Sequence, residues 1–152
     1  MKKYELTEET VVIGDKTLFR IRALRSFGDI KAGDLGGFIE NERNLSHGGN
    51  AWVGDNAQVG GNAEVYGDAE VYGDARVDGD AWVGGYARVN GDGLINSNND
   101  YLCEQGLGSR NRSASFFKCK DGHIHVLCGC FSGNLDEFEN KVKKEHGNSK
   151  YA

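Results

Sequence analysis

The most constraining feature of this chain is a six-residue repeat that runs unbroken from Ala51 to Asn98. In eight successive hexapeptides a small residue comes first, Val or Ile comes third, and Gly followed by Asp or Asn usually ends the unit. Residues two apart point to the same face of a short strand. Gly and Asp or Asn tolerate the left-handed backbone of tight turns. A chain that turns every six residues with the same side inward closes into a three-sided prism.

Three sides make one coil, so residues eighteen apart in this sequence are expected to stack. Three inward ladders are predicted: Val53, Val71 and Val89; Val59, Val77 and Ile95; and Val65 with Val83. A weaker echo upstream places Ile39 and Leu45 in the Ala position of the repeat. About three to four coils are therefore expected between Ile39 and Asn98.

An N-terminal cap is predicted from two segments that precede the repeat. Residues 17–24 alternate apolar and basic side chains, and Gly14-Asp15 separates them from the run 10–13. We expect a β-hairpin that covers the first coil, because an open coil end exposes unpaired strand edges.

A second hairpin and a helix are predicted after the repeat. The turn Asp121-Gly122 separates residues 113–120 from 123–131, and Asn134 is a favoured N-cap for a helix over 135–146. The fold is therefore expected to be mainly β, in three parts. They are an N-terminal β-hairpin cap (1–38), a parallel β-helix (39–98) and a C-terminal β-hairpin plus α-helix (99–152).

The Ala-x-Val repeat resembles the hexapeptide repeat of left-handed β-helix proteins, a group that includes acyltransferases and γ-class carbonic anhydrases. That resemblance implies a left-handed coil, which periodicity alone does not decide, and a homotrimer. Residues 48–98 contain no histidine to hold the zinc of a carbonic anhydrase.

Longer stretches in both flanks carry a second resemblance. They are LFRIRALRSFGDIKAGDLGGFIE at the front and GSR, FFKCKDG, VLCGCFSGNLDEFENKV and HG at the back. In these the chain resembles a family of phage and prophage proteins of poorly defined function. The resemblance implies a viral or mobile-element setting without naming an activity. It also implies that the last helix continues beyond Ala152.

Charge and composition exclude several classes of function. Residues 51–98 carry 8 acidic and 2 basic side chains, a balance unsuited to binding nucleic acid along the repeat. No apolar run approaches the length of a membrane span, and the N-terminus lacks the apolar core of a signal peptide. A cytoplasmic protein with free thiols and no cofactor is expected, in the host cytoplasm if the gene is phage-encoded.

The strongest ligand candidate is the segment 108–113, which holds Ser109, Arg110 and Arg112. A hydroxyl, two guanidinium groups and glycine amides suit an anionic small molecule. The alternative is a solvated connector.

A metal site is considered and disfavoured. The potential ligands are Cys119, His123, His125, Cys128 and Cys130. Strand alternation places Cys128 and Cys130 on one face and His123 and His125 on the other. Buried thiols are the preferred interpretation.

His47 is the single histidine near the coils and falls where the upstream echo places Val. It is a weak candidate for the general base of an acyltransferase, and the alternative is a cap residue. Five aromatic residues lie outside the inward positions: Trp52, Tyr66, Tyr72, Trp82 and Tyr86. We predict that they form a subunit interface, with simple decoration of the prism wall as the alternative.

The sequence as a whole favours a non-enzymatic, oligomeric binding protein of phage or prophage origin. More specifically, the protein is expected to capture an anionic small molecule or to inhibit a host defence protein. A hexapeptide-type acyltransferase and a structural virion component remain as alternatives.

Overall fold

A computed structural model of the chain describes residues 2–107, 112–128 and 131–146. It is mainly β. Three longer strands come first, β1 (Tyr4–Ile13), β2 (Lys16–Ala23) and β3 (Leu35–Ile39), followed by a short 3-10 helix at Glu42–Asn44. Eight two-residue strands follow: β4 (Trp52–Val53), β5 (Gln58–Val59), β6 (Glu64–Val65), β7 (Glu70–Val71), β8 (Arg76–Val77), β9 (Trp82–Val83), β10 (Arg88–Val89) and β11 (Leu94–Ile95).

These eight strands form the walls of a β-solenoid of about three coils. Strand β7 pairs in parallel with β4 and β10, β8 pairs with β5 and β11, and β6 pairs with β9. The three predicted ladders are therefore confirmed, and the inward Ala and Val side chains are buried. The coils are consistent with the left-handed β-helix that the resemblance implies.

The upstream echo was assigned to the wrong position of the repeat. Ile39 pairs with Val59, and Leu45 bridges to Val65, so both continue the Val ladders and not the Ala positions. The cause is a longer turn, because Leu45 and Val53 are eight residues apart instead of the regular six. His47 belongs to this longer turn and does not occupy a Val position.

The predicted N-terminal hairpin is confirmed and is joined to the solenoid through backbone hydrogen bonds. Strand β1 pairs antiparallel with β2 around Gly14-Asp15, and β2 pairs antiparallel with β3. Because β3 also pairs in parallel with β5, the hairpin extends one solenoid wall into a six-stranded sheet. Tyr4 secures the start of the chain, since its hydroxyl donates to the carbonyl of Leu45 at 2.6 Å.

The C-terminal part is a four-stranded antiparallel sheet followed by a helix. After a short 3-10 helix at Asn98–Asp100, the strands are β12 (Tyr101–Leu107), β13 (Arg112–Lys118), β14 (Ile124–Cys128) and β15 (Phe131–Asn134). Helix α1 spans Leu135–His146. The predicted β13–β14 hairpin and the helix are confirmed, whereas β12 and β15 are additional strands on either side of the hairpin.

The sheet lies between the last coil and α1. On the side of the last coil, Gly93 and Cys119 form an antiparallel backbone β-bridge. The Ser115 hydroxyl accepts from the Arg88 backbone N–H at 2.8 Å. On the other face the Phe138 ring packs on Phe116 with a centroid distance of 5.8 Å. The coil end that faces this sheet is therefore covered.

Asn134 caps α1 as predicted. Its side chain accepts from the backbone N–H of Glu137 at 2.8 Å, and Glu137 accepts in return from the N–H of Asn134 at 3.1 Å. Within the described ranges, no helix has the length and apolar character needed to cross a membrane.

Candidate binding cleft

A cleft of about 370 Å³ lies against the wall made by β4, β7 and β10. One side is formed by the loop Phe27–Ile30, which connects the N-terminal hairpin to β3. Ser113 contributes from the start of the C-terminal sheet. We call this site the wall cleft.

The floor of the wall cleft is a direct product of the repeat. Trp52, Glu70 and Arg88 each hold the second position of a hexapeptide, which points outward when the third position points inward. The parallel register places Glu70 beside Trp52 on one side and beside Arg88 on the other. Three coils thus build one row of a tryptophan, a carboxylate and a guanidinium group.

Aromatic rings line much of the wall cleft. Phe27 packs edge-on against Trp52, with ring centroids 5.3 Å apart. Tyr72 lies against Gly54 of the preceding coil, where an added Cβ would come within 2.4 Å of the ring. Tyr86 is 54% exposed. The rings therefore run from a buried end at Trp52 to an open one at Tyr86.

The five aromatics outside the inward positions differ in exposure, and Trp52 is buried. Its side chain is 2% exposed because the Phe27 loop covers it. Tyr72 is partly buried against the solenoid. A subunit interface formed by the five aromatics stays a prediction. The repeat indicates the direction of a side chain but not what the flanking loop covers.

Acidic groups outnumber basic ones around the wall cleft. Among the described residues, Asp29, Asp68 and Glu70 line it together with one basic side chain, Arg88. Burial raises the pKa of Glu70. The charge of Arg88 counteracts part of this shift, and the charge of Asp29 adds to it. Burial and then the Glu70 carboxylate raise the pKa of the Tyr72 phenol to about 12. Both effects are those expected of a partly desolvated, acidic site.

Tyr66 and Trp82 lie on a different wall from the cleft. They are 38% and 54% exposed, and their rings meet edge to face with centroids 6.4 Å apart. Strands β6 and β9 bring them together, and the Tyr101 hydroxyl donates to the Trp82 carbonyl. The five aromatics therefore divide into a cleft group and an exposed pair.

His47 lies under the N-terminal strand and away from the wall cleft. Its Nδ1 accepts from the backbone N–H of Lys3 at 3.1 Å, and its ring stacks on Tyr4 with centroids 4.2 Å apart. The opposite atom, Nε2, is buried, and within the described residues it has no hydrogen-bond partner. Burial lowers the pKa of His47, and the Glu42 carboxylate counteracts part of that shift. These contacts are those of a cap residue.

The anion-binding prediction falls mostly on undescribed positions. Ser109 and Arg110 lie outside the described residues. Arg112 begins β13, where its backbone pairs with Leu107, and its side chain is not described. Binding of an anion at these residues stays a prediction.

The potential metal ligands are not gathered in the part of the chain that is described. No three His, Cys, Asp or Glu residues there are placed to hold an ion, and Cys130 lies outside the described ranges. His125 and Cys128 are three apart in β14 and so point to opposite faces. Cys119 is buried, which raises the pKa of its thiol.

Instead, the two histidines have other side-chain partners. His123 Nδ1 contacts the Asp121 carboxylate, and His125 Nε2 lies 2.8 Å from the Ser132 hydroxyl. The two rings are 6.0 Å apart. These contacts fix the turn between β13 and β14 and the neighbouring edge of β15.

Sequence reasoning missed the wall cleft. Asp68 and Glu70 contribute to the sequence-based prediction only through the charge balance of residues 51–98, and Asp29 does not enter it. One available signal was the hexapeptide AEVYGD, which occurs twice in succession and offers a carboxylate and a phenol on each of two walls. Comparison of the chain with protein-family models and with curated protein sequences returned no match.

Proposed function

We propose that this chain is a non-enzymatic binding protein and that the wall cleft is its ligand site. The observation that carries the proposal is a cleft of about 370 Å³ lined by four aromatic rings and three carboxylates. That volume is within the range of small-molecule sites, roughly 300–1,000 Å³, which are commonly lined by aromatic side chains and a few polar groups. The same cleft also suits a side chain presented by a partner protein.

The rigidity of the wall supports this proposal. Backbone N–H groups of one coil donate to carbonyls of the next throughout the wall, for example Glu70 to Ala87 at 2.9 Å and Tyr72 to Val89 at 2.8 Å. Side chains on such a scaffold keep their spacing, which lowers the entropic cost of ordering a binding site.

Binding is favoured over catalysis by what lines the wall cleft. Those of its lining residues that the structure describes include neither a histidine nor a cysteine. His47, on which the acyltransferase alternative depends, is held by Lys3 and Tyr4 away from this site. A virion fibre built from coils stacked end to end is disfavoured, because the C-terminal sheet covers the last coil.

The biological setting is part of the proposal and is supported by the resemblance of the flanks to phage and prophage proteins. In that setting the protein would act in the host cytoplasm, and a host defence protein is a fitting partner. Self-association, most simply as a trimer, is supported by the exposed Tyr66–Trp82 pair. A second copy of the chain is the proposed partner of that wall.

The two tryptophans provide a direct test, because one lines the wall cleft and the other lies on a different wall. A library of small aromatic and charged fragments would be screened by NMR, following the two indole N–H resonances. We expect binders that shift the Trp52 resonance and leave that of Trp82 in place, and that lose affinity in Tyr86→Ala but not in Tyr66→Ala. Fragments that move neither resonance, or both equally, would reject the wall cleft as the ligand site.

A further inference from the structure

We propose that the wall cleft recognises an organic cation, namely a guanidinium or ammonium group carried on an alkyl stem. This inference rests on the proposed function and adds the chemical class of the ligand. It departs from the expectation of an anionic ligand, which concerned residues 108–113. The geometry that carries it is the combination of carboxylates with aromatic faces in one cleft.

The first argument is charge. Among the described residues, three carboxylates, Asp29, Asp68 and Glu70, and one guanidinium, Arg88, line the wall cleft, so this part of the lining carries two more negative than positive charges. Lys3, which is outside the lining, interacts with Asp68. Arg88 lies beside Glu70 in the ladder, so its positive charge offsets mainly the negative charge of the Glu70 carboxylate. The carboxylates of Asp29 and Asp68 come from the loop and from a solenoid corner, so a ligand can approach acidic groups from two sides.

The second argument is the aromatic lining. A cation within about 6 Å of a ring centroid is attracted by the negative face of the ring, and the attraction grows when the site is partly desolvated. Tyr86 presents an exposed ring at the open side of the wall cleft, and Tyr72 and Trp52 lie further in. An alkyl stem would pack on the Tyr86 and Tyr72 rings, next to the covered Trp52, while its charged end reaches the carboxylates.

Contacts between a cation and an aromatic ring already occur within the chain next to the wall cleft. Lys3 Nζ lies 4.9 Å and the Arg25 guanidinium carbon 5.7 Å from the centroid of the Phe27 ring. Neither of these basic residues lines the cleft, so they contact Phe27 from elsewhere. Phosphate or carboxylate ligands would instead meet the excess of carboxylates on the wall.

A pair of isosteric ligands separates charge from shape. Nα-acetylargininamide and Nα-acetylcitrullinamide, called argininamide and citrullinamide below, differ in that a neutral urea replaces the guanidinium, and neither has another charged group. Each would be titrated while the Trp52 indole resonance is followed by NMR. We expect argininamide to bind about tenfold or more tightly than citrullinamide, since charge-assisted contacts are about twice as strong as neutral ones. Equal binding of the two would overturn the inference.

The repeat supplies a matched control variant. Glu64 and Glu70 hold the same position in identical hexapeptides, AEVYGD at 63–68 and 69–74, but lie on different walls. We expect Glu70→Gln to weaken argininamide binding by about fivefold or more and Glu64→Gln to leave it within about twofold. Equal effects of the two substitutions would also overturn the inference.

The outcomes separate this inference from the proposed function. If the two amides bind equally and Tyr86→Ala weakens both, the wall cleft is a binding site and cation recognition is wrong. If neither amide moves the Trp52 resonance but neutral fragments do, the wall cleft is again a binding site and cation recognition is again wrong. If no ligand of any charge moves it, the proposed function fails as well.

The same measurement distinguishes a free small cation from a partner's side chain. The Nα-acetylated tripeptide amide Gly-Arg-Gly, whose N-terminus is uncharged, would be compared with argininamide and with its own citrulline form. Binding of the arginine tripeptide about tenfold tighter than argininamide assigns the site to a partner's arginine, whereas equal or weaker binding assigns it to a free cation. An arginine tripeptide that bound no better than its citrulline form would overturn the inference for both sources.

Discussion

The phenol ring of Tyr66 lies against Gly84 of the following coil, so closely that a Cβ built at Gly84 would stand 2.1 Å from the ring Cζ. Tyr72 has the same relationship with Gly54, but in the preceding coil. The tyrosines of two identical hexapeptides therefore lean in opposite directions along the solenoid axis. One ends beside Trp82 on the outside, and the other ends in the wall cleft.

The exposed Tyr66–Trp82 pair leads to a prediction about assembly. We expect the protein to sediment as a small closed oligomer, most simply a trimer, because paired exposed rings favour an interface. Trp82→Glu should lower the oligomeric state by placing a charge in that interface, while Gln58→Glu, on the wall of β5 and β8, should not. Analytical ultracentrifugation measures this. A wild-type monomer at high concentration would contradict it.

The double glycine of β3 leads to a prediction about stability. A Cβ at Gly37 would lie 2.5 Å from the Ala57 carbonyl oxygen, whereas a Cβ at Gly60 would meet nothing nearer than 3.4 Å. Backbone cannot swing aside as a side chain can, so Gly37→Ala should cost about 1–3 kcal/mol or more of unfolding free energy. Gly60→Ala should cost less than about 1 kcal/mol. Equal urea midpoints for the two variants would refute the close packing of β3 on the first coil.

Buried Lys3 leads to a prediction about pH. Its Nζ donates to the Ala51 carbonyl at 2.6 Å, and burial, with Arg25 adding to it and Asp68 opposing it, lowers the pKa of Lys3 from 10.5 to about 8. Because the folded pKa is below the unfolded one, Lys3 contributes stability that is present above the unfolded pKa and lost as pH falls through about 8. Unfolding free energy should therefore rise from pH 7 to 9.5 by at most about 2 kcal/mol through this group.

Urea unfolding at both pH values, in wild type and in two variants, isolates the contribution. Lys3→Met should flatten the rise and also lower stability, since the Ala51 carbonyl loses its buried donor. Lys2→Met is the control, because the side chain of Lys2 is 62% exposed. An identical pH slope in Lys3→Met and wild type would contradict the assignment.

The segment 108–113 leads to a prediction about anions. If it binds an anionic small molecule, the double change of Arg110 and Arg112 to Ala should abolish binding, since each charge-assisted contact contributes roughly 1.5–3 kcal/mol. The melting temperature should change little. Calorimetry against nucleotides and cyclic nucleotides measures this for both proteins. No heat of binding to wild type across the panel would reject the small-molecule version, and binding that survived the double change would place the site elsewhere.

The solenoid was predictable because its information is local. Two positions of each hexapeptide determine which side faces inward, and the six-residue spacing then determines which residues stack, as Val53, Val71 and Val89 do. The prediction failed where the spacing changed. The longer turn after Leu45 shifts the upstream residues by two, so Ile39 joins the ladder of Val59.

The wall cleft was not predictable by the same reasoning, because it depends on contacts between distant segments. Phe27 covers Trp52 although twenty-five residues separate them in the chain. Ser113 reaches the same cleft from beyond the repeat. No periodic signal connects the loop, the wall and the C-terminal sheet, and burial of Trp52 follows only once all of them are placed.

The three-walled coil limits how such a chain can change in length. Duplicating one hexapeptide between Tyr72 and Tyr86 would turn everything after it by a third of a revolution, carrying Tyr86 and Arg88 onto another wall and away from Phe27. Duplicating eighteen residues would restore the rotation and lengthen the molecule by one coil. Growth in whole turns therefore preserves which residues face the same way, whereas growth by single repeats rearranges the surface while leaving the interior pattern intact.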